Sequence, residues 1–185
     1  MKKIFLLMLL LIGCMFSVFS QNTGDFKYKA ENGSITITGY NGSEKKISIP
    51  EKINGLSVTS IGDEAFFRKG LTNVTFPNTI TYIGNKAFSY NRLTTLVLPD
   101  SLTSVGFMAF SNNRLVEVTL PASLVSIGMR AFTENRLKSI TLPDAIDYLG
   151  DAAFSRNLID VVIVSNSVRS FNSYAFDSYV NIIWK

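Results

Sequence analysis

Histidine does not occur in this chain, and its single cysteine, Cys14, falls in the apolar N-terminal stretch. Those two absences remove His-based triads, thiol nucleophiles and zinc sites built on His or Cys ligands. They also remove disulfides, so the folded domain must be held by its core alone. Charge is sparse: 18 Lys and Arg stand against 14 Asp and Glu, a formal net +4. Residues 1–20 hold two of the lysines and no acid, so the remainder carries about +2. No Lys/Arg block is present, which argues against a nucleic-acid partner. Carboxylates do occur, but Asp63, Glu64, Asp144, Asp147 and Asp151 are scattered, and no D-x-D-x-D-G loop is formed. Neither a calcium site nor a clustered acid–base site is indicated. The expectation is a chain without catalysis, cofactor or metal.

The N-terminus carries an address. Lys2 and Lys3 precede an unbroken apolar run from Ile4 to Ile12, and Val18-Phe19-Ser20 is an acceptable cleavage site leaving Gln21 first. That pattern is an export signal over residues 1–20. A membrane span needs about 20 apolar residues, and Gly13, Cys14, Ser17 and Ser20 interrupt this stretch. Leu11-Ile12-Gly13-Cys14 also looks like a bacterial lipobox. Two routes therefore stay open. Cleavage after Ser20 gives a secreted, periplasmic or surface protein; lipidation at Cys14 gives a lipid anchor, the one membrane attachment the sequence offers.

Beyond residue 60 one hexapeptide recurs: IGDEAF from Ile61, IGNKAF from Ile83, VGFMAF from Val105, IGMRAF from Ile127, LGDAAF from Leu149 and FNSYAF from Phe171. Successive starts are 22 residues apart without insertion or deletion. Fixed periods of this size mean stacked turns. The same alignment exposes apolar columns: Leu71, Leu93, Leu115, Leu137, Ile159, then Val74, Leu96, Val118, Ile140, Val162, then Phe76, Leu98, Leu120, Leu142, Val164. Pro77, Pro99, Pro121 and Pro143 follow, with Ser165 breaking that series, and then Ile80, Leu102, Leu124, Ile146 and Val168.

V-T-F, L-V-L, V-T-L and I-T-L alternate inward and outward, the period of a strand. Proline, with no N–H to give, ends the ladder and turns the chain. The glycine of each repeat suits a sharp bend or a positive φ. Ala-Phe adds a small residue for close approach and a ring to fill the interior, in a segment expected to form a short helical or 3-10 turn. One turn cannot bury these faces alone; stacked turns bury them against each other. The fold expected over residues 61–185 is a mainly β solenoid of six 22-residue turns.

An open solenoid end needs a cap. Residues 21–60 supply an N-terminal β cap and the lead into the first turn. Phe26–Lys29, Ser34–Thr38 and Lys46–Pro50 read as strands, joined by hairpin turns at Glu31-Asn32-Gly33 and Asn41-Gly42-Ser43. Lys52 to Ser57 makes the first turn longer than the others. Val180–Lys185 reads as a last strand, slipped by one residue from the repeat register.

The unit, LPxxLxxIGxxAF, resembles the BspA-like class of leucine-rich repeats, over about residues 44 to 185. The resemblance implies a leucine-rich-repeat solenoid that is exported or surface-exposed and binds protein. Members of the class are implicated in adhesion to host proteins or other cells. It names no ligand and carries no catalytic residues.

Candidate binding residues come from the columns that vary. Asn91, Asn113, Asn135 and Asn157 form a polar row best read as structural, bonding backbone groups at turns. Arg92, Arg114 and Arg136 form the one charged row that the repeat aligns, with Gly70 and Leu158 ending it. Successive turns place those guanidinium groups about 5 Å apart. The row suits an acidic protein or anionic glycan, or else it covers apolar surface with Arg stems. Phe107 and Met129 are adjacent apolar residues in a column otherwise Asp63, Asn85 and Asp151. Such pairs mark interaction sites or tuck under a loop. On the strand face only Glu117 stands out among small outward side chains. The leading function is an exported interaction module, an adhesin for a host or envelope protein or glycan. The alternative is an envelope scaffold that self-associates or docks a larger protein.

Overall fold

The computed structural model describes residues 23–165, 168 and 171–184; the export signal expected over residues 1–20, with Cys14, lies outside them. The strands are β1 (Phe26–Glu31), β2 (Ser34–Tyr40), β3 (Lys46–Ser48), β4 (Lys52–Ile53), β5 (Leu56–Ile61), β6 (Asn73–Thr75), β7 (Tyr82–Ile83) and β8 (Thr95–Val97). They continue as β9 (Ser104–Val105), β10 (Glu117–Thr119), β11 (Ser126–Ile127), β12 (Ile140–Thr141), β13 (Tyr148–Leu149), β14 (Val161–Val164) and β15 (Asn181–Trp184).

The chain winds as a β-solenoid with two walls. One is a sheet in the order β1-β2-β5-β7-β9-β11-β13, with β4 on β5. The other runs β3-β6, β8-β10 and β12-β14-β15, one strand per turn. Pairing of Ile61 with Ile83, Ile83 with Val105, Val105 with Ile127 and Ile127 with Leu149 is parallel and keeps the 22-residue step. The inward columns are buried as their alternation requires, apart from half-buried Phe76 and Leu120, and Leu71, Leu93, Leu115 and Leu137 are fully enclosed. The phenylalanines of the repeat stack through the axis: Phe66 on Phe88 at 4.8 Å, Phe88 on Phe110 at 5.3 Å, Phe110 on Phe132 at 5.4 Å, then Phe154 and Phe176.

The Ala-Phe segment is a 3-10 turn only in the last repeat, at Ser173–Ala175. In the five earlier repeats it is a tight turn whose residue before alanine is left-handed: Glu64, Lys86, Met108, Arg130 and Ala152 have φ between 52 and 56°. A left-handed residue stops helical continuation. Its N–H is spent on the next turn instead: Glu64 donates to the Asn85 carbonyl, Lys86 to Phe107, Met108 to Met129.

The repeat glycines hold a different surprise. Positive φ among glycines falls at Gly33, Gly55 and Gly70, outside the repeat series. Gly84, Gly106, Gly128 and Gly150 are required by close approach, because a Cβ on any of them would strike the backbone of the preceding turn. At Gly128 it would lie 2.6 Å from the Gly106 carbonyl carbon and 2.7 Å from the Phe107 nitrogen.

The cap follows expectation in part. β1 and β2 form an antiparallel hairpin through Asn32-Gly33, both left-handed, the pairing such a turn favours. Asn41–Ser43 is not a hairpin turn. β2 pairs in parallel with β5, and β3 crosses to the other wall, where Ile47 aligns with Val74. Burial drives that crossing, since Ile47 and Ile49 join the core there. The long first turn contains its own hairpin, β4 on β5 through Asn54-Gly55. Phe26 and Tyr40 close the aromatic stack against Phe66. At the other end β15 pairs Val162 with Ile182, a step of 20 residues, so the slip is two residues and not one. A tight turn in which Val180 N–H donates to the Asp177 carbonyl takes up the shortening.

Candidate functional site

The asparagine row lies inside the molecule. Asn91, Asn113, Asn135 and Asn157 are 6–9% exposed. Asn113 Nδ2 donates to the carbonyls of Phe88, Phe110 and Ser111, and its Oδ1 accepts from Leu115's counterpart one turn back, Leu93 N–H, at 3.1 Å. The other three repeat the pattern. These side chains close the backbone hydrogen bonds of the bend, which unpaired would cost about 1–3 kcal/mol each. Left-handed φ falls one position earlier, on Tyr90, Asn112, Glu134 and Arg156. The row is structural and unavailable to a ligand.

The arginine row is outside. Arg92, Arg114 and Arg136 are exposed. Their backbones are locked in register: Arg92 N–H donates to Leu71, Arg114 to Leu93 and Arg136 to Leu115, at 2.8–2.9 Å. Among the described residues none of the three guanidinium groups pairs with a carboxylate. Two other cations are neutralised by a Glu on the preceding turn. Lys86 meets Glu64 at 3.2 Å, and Arg156 meets Glu134. Lys138 is exposed two positions beyond Arg136. The structure thus leaves one edge of the solenoid with an uncompensated line of positive charge.

Phe107 is half-buried and Met129 is 41% exposed. They sit one turn apart on the side bearing Asp63, Glu64, Asn85 and Lys86, which with Phe107 line a shallow depression. Glu117 is exposed at the start of β10 on the strand wall, beside a second depression walled by Val116, Ala122, Ser139 and Pro143. These three candidate groups lie on separate columns, and the structure does not gather them into one pocket.

Sequence reasoning missed a ladder beside Phe107. Asp63 Oδ1 accepts from Asn85 N–H at 2.7 Å, and Asn85 Oδ1 accepts from Phe107 N–H at 2.9 Å. The signal was present as Asp and Asn 22 residues apart, but its partner is across the turn. Also missed was Arg68, whose guanidinium lies 5.1 Å from the Phe67 ring centre and 4.8 Å from that of Tyr90.

Proton chemistry finds no foothold in the shifted groups. Tyr82 is pushed up by partial burial and then by Asp63, and Tyr179 by desolvation and then by Asp177. Arg156 is raised by its hydrogen bond to Glu134. All three move away from neutrality, opposite to what an acid–base catalyst needs. No group of three His, Cys, Asp or Glu side chains able to hold a metal occurs among the described residues. Nor is any described helix long and apolar enough to cross a membrane.

Comparison with known proteins agrees with this architecture. The family model of the BspA type leucine rich repeat region matches residues 59–183 in six copies. A Treponema pallidum leucine-rich repeat protein superposes with a TM-score of 0.75 at 24% identity, covering 89% of this chain and 81% of that one. A Bacteroides ovatus leucine-rich repeat protein gives 0.69 at 22% identity, over 89% of this chain and 53% of its own. The pneumococcal vaccine antigen PcpA gives 0.62 at 24% identity, over 83% and 51%. This chain thus spans about half the length of the latter two. No curated protein matches it.

Proposed function

The chain belongs to the BspA-type leucine-rich repeat family, and on that premise we propose that it is an exported, non-catalytic interaction module that binds an acidic protein or anionic glycan along its arginine edge. One observation carries the reading. Arg92, Arg114 and Arg136 are exposed, held in register by the backbone and left without carboxylates, whereas Lys86 and Arg156 are each paired with a Glu one turn away. Like charges about 5 Å apart repel, though solvent softens the cost. A partner with negative charge relieves that repulsion and fixes its own register along the row.

The export signal over residues 1–20 supports a location outside the cytoplasm, as does the fold shared with a pneumococcal vaccine antigen. Mass spectrometry of the exported protein distinguishes its two processing routes. Cleavage after Ser20 leaves Gln21 as the first residue, and this is the expected result. A diacyl or triacyl mass on Cys14 would replace it with a lipoprotein.

Changing Arg92, Arg114 and Arg136 together to Gln is expected to weaken capture on an array of sulfated glycans and acidic proteins at least tenfold. Wild-type binding should also fall with added salt, because exposed charges are screened beyond about 8–10 Å at physiological ionic strength. The melting temperature should hold or rise slightly. If the triple variant binds as well as wild type at low salt, the row is only a wetted edge. The scaffolding alternative is separated by light scattering, where a strict monomer at high concentration counts against self-association.

A further inference from the structure

The ladder of Asp and Asn side chains beside each repeat glycine stops in the middle of the solenoid. Asp63 serves the N–H of Asn85, and Asn85 serves that of Phe107. Phe107 and Met129 carry no side-chain oxygen, so the N–H groups of Met129 and Asp151 lack the side-chain acceptor that those of Asn85 and Phe107 have. Buried backbone donors are almost always paired within the protein or to ordered water, whereas exposed ones stay free to exchange partners. Gly150 packs directly on this backbone: a Cβ on it would come within 2.6 Å of the Met129 Cα. Both residues are exposed, so these donors are open to solvent or to an acceptor on a ligand.

Two further features meet at this step. Arg130, adjacent to Met129, is exposed and has no carboxylate among the described residues, whereas Lys86 in the same column is paired with Glu64. Met129 is 41% exposed and Phe107 half-buried, an apolar pair standing in a polar column. Exposed N–H donors one turn apart, a guanidinium without a carboxylate and apolar surface together describe a complementary ligand. It needs a carboxylate for the donors and the cation, and an apolar side chain next to it.

We propose that the Phe107–Met129 step is a docking site for an acidic segment of another protein, in which an Asp or Glu is followed by a large apolar residue. The carboxylate takes the place that Asp63 and Asn85 fill in the earlier turns, and the apolar residue covers Phe107 and Met129. This site is distinct from the arginine edge and does not depend on it.

The test uses a fluorescence-anisotropy panel of capped octapeptides containing Asp-Phe or Glu-Leu, with Lys-for-Asp and Ser-for-Phe controls. The full exported protein is compared with Phe107→Asn/Met129→Asn, which restores the internal acceptors, and with Arg130→Gln. Wild type is expected to bind the acidic–apolar peptides saturably and at least tenfold tighter than either control. The double Asn variant should lose that preference while its melting temperature holds or rises by a few degrees. Arg130→Gln should weaken binding several-fold, and the triple Arg→Gln variant of the edge should leave it unchanged. No preference over the controls, equal binding by the double variant, or a double variant that melts below wild type would each overturn the proposal.

Discussion

Gly128→Ala is expected to destabilise the protein by about 3 kcal/mol, the upper end of the usual cost of overpacking. Two effects compete at this position. Alanine restricts the unfolded chain and by itself would stabilise by about 0.4–1 kcal/mol. Against it, the new methyl meets the Gly106 carbonyl carbon at 2.6 Å and the Phe107 nitrogen at 2.7 Å. Those atoms are backbone, tied into the hydrogen bonds that join successive turns, so they cannot swing aside as a long side chain could. The overlap wins. At Gly62 the nearest atom is the Ile37 carbonyl oxygen at 3.1 Å, and Gly62→Ala should cost clearly less. Urea unfolding of both variants reads the difference. A stabilised Gly128→Ala, or an inverted order, would show that turns are not pressed together at this point.

Phe110→Ala is the other large effect, expected at about 3–5 kcal/mol. Its ring is fully buried between Phe88 at 5.3 Å and Phe132 at 5.4 Å, nearly parallel to both. Truncation removes the transfer energy of the ring and opens a cavity that the two neighbours, held by their own turns, cannot close. Each kcal/mol moves the midpoint of a domain this size by about 2–4 °C, so the melting temperature should fall by roughly 6–20 °C. Turns interact mainly with their neighbours, and damage at the centre should uncouple the two halves. A second transition or a broadened one is therefore expected alongside the lower midpoint. A shift of only a degree or two would remove Phe110 from the core.

Both residues were visible in the sequence, but for unequal reasons. Burial of Phe110 follows from period alone, because a large ring every 22 residues has to face the same side. The glycine was equally visible, yet a one-dimensional pattern cannot tell a residue needed for its φ from one needed for its missing Cβ. Only the neighbouring turn decides, and at Gly128 it decides for the Cβ. The same limit explains the cap. Asn41–Ser43 has the composition of a hairpin turn, and the local sequence does not say that Ile47 gains more by pairing across from Val74. The two-residue slip at β15 is set by how the turn before Val180 closes, which no aligned column records. For the arginine row, register could be read directly. That it stands unpaired while Lys86 and Arg156 do not depends on which columns touch, and required coordinates.

The interior of the junction between one turn and the next is chemically the same from Phe66 to Phe154: ring on ring, asparagine oxygen on a leucine N–H, glycine over backbone. Nothing in such a junction counts. The number of turns is therefore a free variable of the architecture, limited only by the special contacts at its extremities, Phe26 and Tyr40 on Phe66 and Trp184 on Phe171. Gain or loss of one whole 22-residue unit would lengthen or shorten the rod by about 4.8 Å and leave every other unit in its old surroundings. Each added unit would also carry one more place on every surface column, so valency toward a long partner rises by integers while the shape of each contact stays fixed. Gain or loss of repeats that share this interior can thus retune avidity without redesigning the packing between turns.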